Sequence, residues 1–180
     1  MSQELYKSYD RIADQYDEHY TAPVNLQENA ELAVMIGRLV TSETRVLDIG
    51  CGTGLVLDLV DIPPENYVGI DPSHEMLAKL REKHPEHTAI ESTYEDYEPD
   101  TKFDVALAIF SGHYLDDEAK AHLAERADKY LYMFAKPDYA PSWYYTPEEQ
   151  EVSRHLTDYD KLGQLFKLEE WHDYLIAYKQ

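Results

Sequence analysis

Residues 45–54 read RVLDIGCGTG, an apolar run that closes on Asp48 and then places glycines at 50, 52 and 54. Glycine accepts positive φ and carries no Cβ, so a strand running into three alternating glycines turns sharply and leaves its backbone open to close approach. With the helical segment behind it, this is the turn by which parallel α/β sheets hold ligands at a helix N-terminus. The remaining sequence fits such a sheet. Short β-branched runs at 45–49, 67–70, 88–90, 103–109 and 130–134 alternate with helical patterns at 55–60, 73–83 and 116–129. The second helix opens on a capping Ser73 and carries Met76, Leu77 and Leu80 on one face. Pro63, Pro64, Pro85 and Pro99 fall between elements, where a missing amide donor does least harm.

This alternation predicts the α/β class: a Rossmann-like, doubly wound, mainly parallel sheet of six to seven strands with helices on both faces. Two helices precede it, at 6–20 and 26–40, the second amphipathic through Leu26, Ala30, Ala33, Val34, Gly37 and Val40. After it come an aromatic, proline-broken loop at 136–146, a polar helix at 147–155 and a short helix at 159–166. Residues 167–178, rich in aromatic and branched side chains, are expected to add one or two antiparallel edge strands. At 180 residues, with no internal repeat and no low-complexity linker, the expectation is a single domain over 1–180. It divides into N-terminal helices (1–43), a core (44–135) and a substrate-side portion (136–180).

Composition restricts the partners. Acidic residues outnumber basic ones 36 to 16, for a formal charge of −20. Phosphate contacts need lysine or arginine, so nucleic acid is an unlikely partner and a neutral or cationic small molecule is favoured. No apolar run approaches the roughly 20 residues of a membrane helix, and the first residues lack a secretory pattern, which predicts a cytoplasmic protein with no membrane partner. The single cysteine, Cys51, permits neither an internal disulfide nor a multi-thiolate metal site. Asp116, Asp117 and Glu118 sit at a helix start, where carboxylates complement the dipole, and no metal is expected there.

The glycine loop lacks the Gly-Lys-Ser/Thr of a phosphate-binding P-loop after Gly54. Counted from Gly50, the sixth position of a dinucleotide fingerprint is Leu55, a poor fit for NAD. What remains, Asp48-x-Gly50-x-Gly52-x-Gly54, resembles the class I S-adenosylmethionine-dependent methyltransferases, most closely the small-molecule type of the ubiquinone-biosynthesis and methyltransferase domain 11 and 25 groups. The likeness runs from Tyr9-Asp-Arg-Ile-Ala-Asp-Gln-Tyr16-Asp17 to the terminal strand and is most specific over 46–54. It implies S-adenosyl-L-methionine as cofactor and S-adenosyl-L-homocysteine as product. It also implies that Asp48 orients the methionine amino group, that Gly50, Gly52 and Gly54 pass against the methionine and ribose, and that Cys51 is the small side chain between them.

Asp71, at the end of YVGID and 21 positions after Gly50, is expected to accept from the ribose hydroxyls. Ile70 and Pro72 would flank the adenine, and Met76 joins the cofactor contacts. Where the family carries an aspartate for the adenine amino group, this chain has Ser92, with Thr93 and Tyr94 beside it. The contact is left among Ser92, a backbone amide and a shifted acid. Phe110-Ser-Gly-His113-Tyr114 is similar to the family's stretch at the mouth of the transfer pocket. Phe110 therefore joins the cofactor set, and His113 is the candidate general base, with a plain packing role as the alternative.

Tyr9, Tyr16 and Tyr20 resemble the family's N-terminal lid, with Tyr9 and Tyr16 over the cofactor and Tyr16 also a candidate at the catalytic centre. Trp143, Tyr144 and Tyr145 are candidates for substrate contact. The implied function is methyl transfer to an oxygen or nitrogen of a small molecule by in-line displacement. The alternatives are a non-catalytic, cofactor-binding partner subunit and a protein methyltransferase acting on a basic peptide.

Overall fold

The computed structural model describes residues 5–99, 101–137, 145–154 and 157–180. Among them, strands β1 (Val46–Ile49), β2 (Tyr67–Asp71), β3 (Thr88–Glu91), β4 (Val105–Ala108), β5 (Lys129–Ala135), β6 (Leu168–Trp171) and β7 (Tyr174–Lys179) form one sheet in the order β3-β2-β1-β4-β5-β7-β6. The first five are parallel, and β7 pairs antiparallel with both β5 and β6. Every residue of β1 and β4 is buried, as central strands covered on both faces require.

The helices are α1 (Tyr6–Tyr20), α2 (Leu26–Gly37), α3 (Leu55–Leu59), α4 (His74–Lys83), α5 (Asp117–Arg126), α6 (Pro147–Arg154) and α7 (Tyr159–Leu165). Four of them start on side-chain caps, α6 on Thr146 Oγ1, which accepts from Glu149 N at 3.3 Å. Ser73 Oγ accepts from Met76 N at 3.2 Å, Asp116 Oδ1 from Ala119 N at 2.8 Å and Asp158 Oδ1 from Lys161 N at 3.1 Å. The period-2 alternation of the strands divides the core in two. On one face Val46, Val105, Leu107 and Met133 meet Leu32 and Ile36 of α2 and Val56 of α3. On the other, Leu47, Ala106, Tyr132 and Phe134 meet Leu123 of α5 and Leu162 of α7.

Two sequence expectations fail in detail. Helix α2 does not bury the stripe through Leu26 and Val34, which stand 58% and 55% exposed. It turns Leu32, Ile36 and the following Leu39 inward instead. Both faces carry apolar residues, and the one that wins has the larger side chains, which remove more apolar area from water. Helix α5 was expected to reach residue 129 but ends at Arg126; Ala127 is already extended and Lys129 begins β5. The helix expected at 147–155 ends at Arg154, and His155 lies outside the described residues.

The chain runs outward from β1 through β2 to β3, then returns to place β4 on the other side of β1. In such a sheet a crevice opens beyond the carboxyl ends of the two strands at the reversal. The glycine loop follows β1 there, and residues 110–114 follow β4.

Candidate functional site

All three loop glycines have positive φ, +70° at Gly50, +52° at Gly52 and +94° at Gly54. The loop curls onto the end of β2: Gly50 N and Cys51 N both donate to Ile70 O, at 2.8 and 3.1 Å. Asp71 then ties two segments together. Its Oδ2 accepts from Gly52 N at 2.9 Å and its Oδ1 from Ser73 N at 2.8 Å, joining the loop to the turn before α4. Burial pushes the Asp71 carboxyl up to about 6, against the pull of those two amides. Below the loop, Asp48 is buried, accepts from Tyr67 Oη at 2.8 Å, and is pushed up by burial to about 7.

Helix α1 roofs the crevice. Its Tyr9 and Tyr16 line a cleft with Gly50, Gly52 and Asp71. Tyr9 Oη donates to Tyr114 Oη at 2.5 Å, and the Tyr114 and Tyr145 hydroxyls bond to each other, so three phenols from distant segments converge. On the cofactor side, Asp10 accepts from Ser73 Oγ at 2.6 Å, Asp17 accepts from Thr53 Oγ1 at 2.5 Å, and Asp14 pairs with Lys79. On the other side Arg11 grips Glu149 through both carboxylate oxygens, at 3.0 and 2.8 Å. With α1 docked in this way the cleft has a free volume of about 40 Å³, room for little more than a water or two. Entry of anything larger requires α1 to lift.

The lid contacts give a direct expectation. Replacing Asp10 and Asp17 together by alanine removes two buried-hydroxyl bonds to charged acceptors, about 3 kcal/mol in sum. Amide hydrogen exchange across α1 should then accelerate roughly a hundredfold while the protection of β1 and β4 is unchanged. Equal acceleration in the central strands would mean that α1 is part of the core and not a lid.

Comparison with known proteins gives the same direction. Residues 46–132 match a methyltransferase domain family. A 69-residue stretch is 36% identical to a ubiquinone biosynthesis O-methyltransferase of Bradyrhizobium diazoefficiens, covering 36% of this chain and 27% of that protein. Among solved structures, DesVI of Streptomyces venezuelae is 26% identical with a TM-score of 0.53, over 73% of this chain and 61% of that one. A possible histamine N-methyltransferase of Thermotoga maritima, described as S-adenosylmethionine-dependent, superposes with a TM-score of 0.62 over 92% of this chain and 82% of its own, at 17% identity. Residues 46–132, just under half of the chain, carry the likeness to a methyltransferase domain, and the fold is that of class I S-adenosylmethionine-dependent methyltransferases. The chain spans only about a quarter of the curated relative it matches and about six-tenths of DesVI.

A methyltransferase of this class needs a cradle for an adenosyl amino acid, and the residues present fit one. A Cβ added at Gly52 would meet nothing within 4 Å, so its α-carbon faces open space. Pro72, Met76 and Phe110 complete the cleft walls named from the sequence. Ser92, Thr93 and Tyr94 line an adjoining slot with Ile70 and Pro72, with a free volume of about 10 Å³. Phe110 holds a positive φ of 56°, strained for a bulky residue, and its ring packs against Tyr174 at 4.8 Å between centroids.

Other expected residues stand behind the walls. Cys51 packs down against Leu77 and Leu80, with its thiol pushed far up by burial. An added Cβ on Gly54 would come within 3.2 Å of Leu80 and His84, so the chain there is packed against α4. Asp48 lies beneath the loop. His113 is buried and absent from the cleft lining; burial, then nearby Lys120, push its imidazole down to about 3, and its Nδ1 has no partner. Trp143, Tyr144 and the side chain of Tyr20 lie outside the described residues.

Sequence reasoning passed over Tyr6, in the cleft wall, and Glu95, in the adjoining slot. Tyr6 was detectable, three positions before Tyr9 on the same helix. Ser111 lies in the 110–114 stretch expected at the pocket mouth, but its fixing was not legible: its Oγ donates to Ile49 O at 2.5 Å and its Cβ fills the space beside Gly50, a contact between residues 61 apart in sequence.

Proposed function

We propose that this protein transfers the methyl group of S-adenosyl-L-methionine to a nitrogen or oxygen atom of a small neutral or cationic molecule in the cytoplasm. The observation that carries this reading is the cleft itself. Backbone open at Gly52 and the Asp71 carboxylate meet an aromatic roof of Tyr6, Tyr9, Tyr16 and Tyr114, and no lysine or arginine is among the described lining residues. A phosphate- or carboxylate-bearing acceptor would find no counter-charge in that wall, and the −20 protein would repel it on approach. The nitrogen and oxygen alternatives each have a named parallel, in the possible histamine N-methyltransferase and the ubiquinone biosynthesis O-methyltransferase.

In this reading Asp71 accepts from the ribose hydroxyls, Gly50 and Gly52 give the methionine portion its close approach, and Asp48 supplies negative charge below the amino group. S-adenosyl-L-methionine held by these residues would supply an electrophilic methyl on a sulfonium, for transfer to the acceptor's lone pair, with the acceptor's proton passing to solvent. Charge disperses in this step, so the protein's contribution is alignment and exclusion of water by the tyrosine roof. A buried, neutral His113 outside the cleft is a poor base, and we assign it a positioning role against the Tyr114 ring, 4.0 Å away between centroids. His113→Asn is then expected to lower turnover by less than about tenfold, against the 10²- to 10⁴-fold that loss of a general base costs.

The pKa positions of Asp48 and Asp71 give a second expectation. Both stand above the value of 3.8 for an ordinary aspartate, at about 7 and about 6. Their contribution to folding stability is therefore greatest below about pH 4 and is lost as pH rises through about 7. An incoming ammonium favours the ionised carboxylates, so binding of S-adenosyl-L-homocysteine at about pH 6.5 should release up to about one proton. Calorimetry in buffers of different ionisation enthalpy reads that proton, and identical heats in all buffers would refute the assignment.

The function itself is tested by calorimetry with S-adenosyl-L-methionine, followed by transfer of labelled methyl from the cofactor to histamine, to catechols and to a metabolite extract. Binding without any labelled product would make the chain a cofactor-binding partner subunit.

A further inference from the structure

We propose that a second recess, at the amino-terminal ends of β1 and β4 and so on the opposite side of the sheet from the cleft, binds a small organic anion: a carboxylate or phosphate monoester on a flat apolar group. The recess has a free volume of about 440 Å³, within the range of small-molecule sites. Pro99 and Phe103 form its apolar part; Lys102, His122 and Arg126 surround it, with Glu125 as the acid among the described lining residues.

Acids outnumber bases 36 to 16, and Arg11, Lys79, Lys83, Lys136 and Lys161 each hold a carboxylate. Lys102 and Arg126, which line the recess, and Arg45, which bonds to its Thr101, make no ion pair among the described residues. Arg45 spends a guanidinium N–H on Thr101 Oγ1 at 2.5 Å and stacks 5.6 Å above the Phe103 ring. Arg126 donates from Nε to Tyr94 Oη at 2.9 Å and lies 5.0 Å over the Tyr94 ring. Both guanidiniums thus lie over aromatic rings with no carboxylate partner among the described residues, which leaves their remaining donors for a planar oxyanion.

Size and field select the ligand. The volume exceeds what an inorganic ion fills, and the protein's overall negative field repels anions at long range. A ligand settles here only if it gains the Phe103 and Pro99 contacts as well as the charge. It must also be short, because beyond His122 and Arg126 the neighbouring groove turns acidic at Glu95, Glu98 and Glu118.

Arg126 connects this recess to the cofactor side. Tyr94, which carries Arg126 on its ring, also lines the slot beside Pro72 and Ser92. An anion that draws Arg126 toward itself loosens Tyr94, so anion and cofactor affinities are coupled, and by reciprocity each alters the other by the same factor. This coupling rests on the methyltransferase reading; the anion site does not.

The test is titration of the full chain with phenyl phosphate, benzoate and inorganic phosphate, followed by calorimetry and by the amide shifts of Lys102 and Arg126. Saturable binding of phenyl phosphate or benzoate below about 1 mM is expected, at least tenfold tighter than inorganic phosphate, and weakened tenfold or more in Lys102→Glu. Lys102 is exposed, so that variant should melt with the wild type. No saturation by either organic anion at about 10 mM, equal binding of inorganic phosphate, or indifference to Lys102→Glu each overturns the proposal. Repeating the S-adenosyl-L-homocysteine titration with phenyl phosphate present reads the coupling. If the homocysteine compound fails to bind even alone, the methyltransferase reading fails while the anion titration stands.

Discussion

Asp71→Asn is expected to fold and to lose S-adenosyl-L-homocysteine affinity by a factor of roughly 10 to 100. The carboxylate accepts from Gly52 N and Ser73 N with separate oxygens. An asparagine offers one carbonyl and one NH₂, so one of the two amides faces a donor and is left unsatisfied, at a cost of about 1–3 kcal/mol. A ribose hydroxyl would lose a charged acceptor, worth about 1.5–3 kcal/mol, and this alone sets the stated factor, because the unpaired amide costs the free and the bound protein equally. Stability responds less, because burial already raises Asp71 to about 6 and the neutral amide escapes that desolvation cost. Thermal melting separates the two effects: a variant that binds like the wild type would remove Asp71 from the cofactor site, and one that does not fold would make it a structural tie only.

How far the sequence foretold this arrangement depends on the distance over which each feature is determined. Asp71 and the glycine loop were legible because their spacing is set by local backbone geometry: a strand end, a turn and a helix start within 25 residues. The sheet was legible for the same reason, since each strand carries its own β-branched run. The burial of α2 was not, because a helix with apolar residues on both faces leaves the choice to the sheet it meets, and the residues of that sheet lie elsewhere in the chain. The latch residues Asp10 and Asp17 read as ordinary surface acids until Ser73 and Thr53 are placed opposite them, 63 and 36 positions away. His113 shows the converse: its residue type suggested a base, whereas its burial, a tertiary property, pushes its imidazole down to about 3 and weakens its hold on a proton.

The glycines should separate two kinds of damage that a sequence motif merges. A Cβ at Gly50 would stand 2.5 Å from Ser111 Cβ and 2.9 Å from its Oγ, and no rotamer change of Ser111 moves a Cβ. Ser111 is itself fixed by its bond to Ile49 O. Gly50→Ala therefore forces the backbone apart, adding overpacking of about 1–3 kcal/mol to the roughly 1–2 kcal/mol of a left-handed alanine. At about 2–4 °C per kcal/mol for a chain of this length, the melting temperature should drop by about 10 °C. Gly52→Ala carries only the backbone cost, since nothing lies within 4 Å of its added Cβ, and should melt within about 5 °C of the wild type. Yet that methyl projects into the cleft, where a bound nucleoside amino acid must pass in contact with the chain. The loss in S-adenosyl-L-homocysteine affinity should be roughly a hundredfold, with the fold intact. The informative outcome is the crossing of the two readouts: an unstable Gly50→Ala beside a stable but non-binding Gly52→Ala. A Gly52→Ala protein that binds as tightly as the wild type would mean that the open space at that position is not where the cofactor lies, and the cradle would have to be sought elsewhere on the sheet edge.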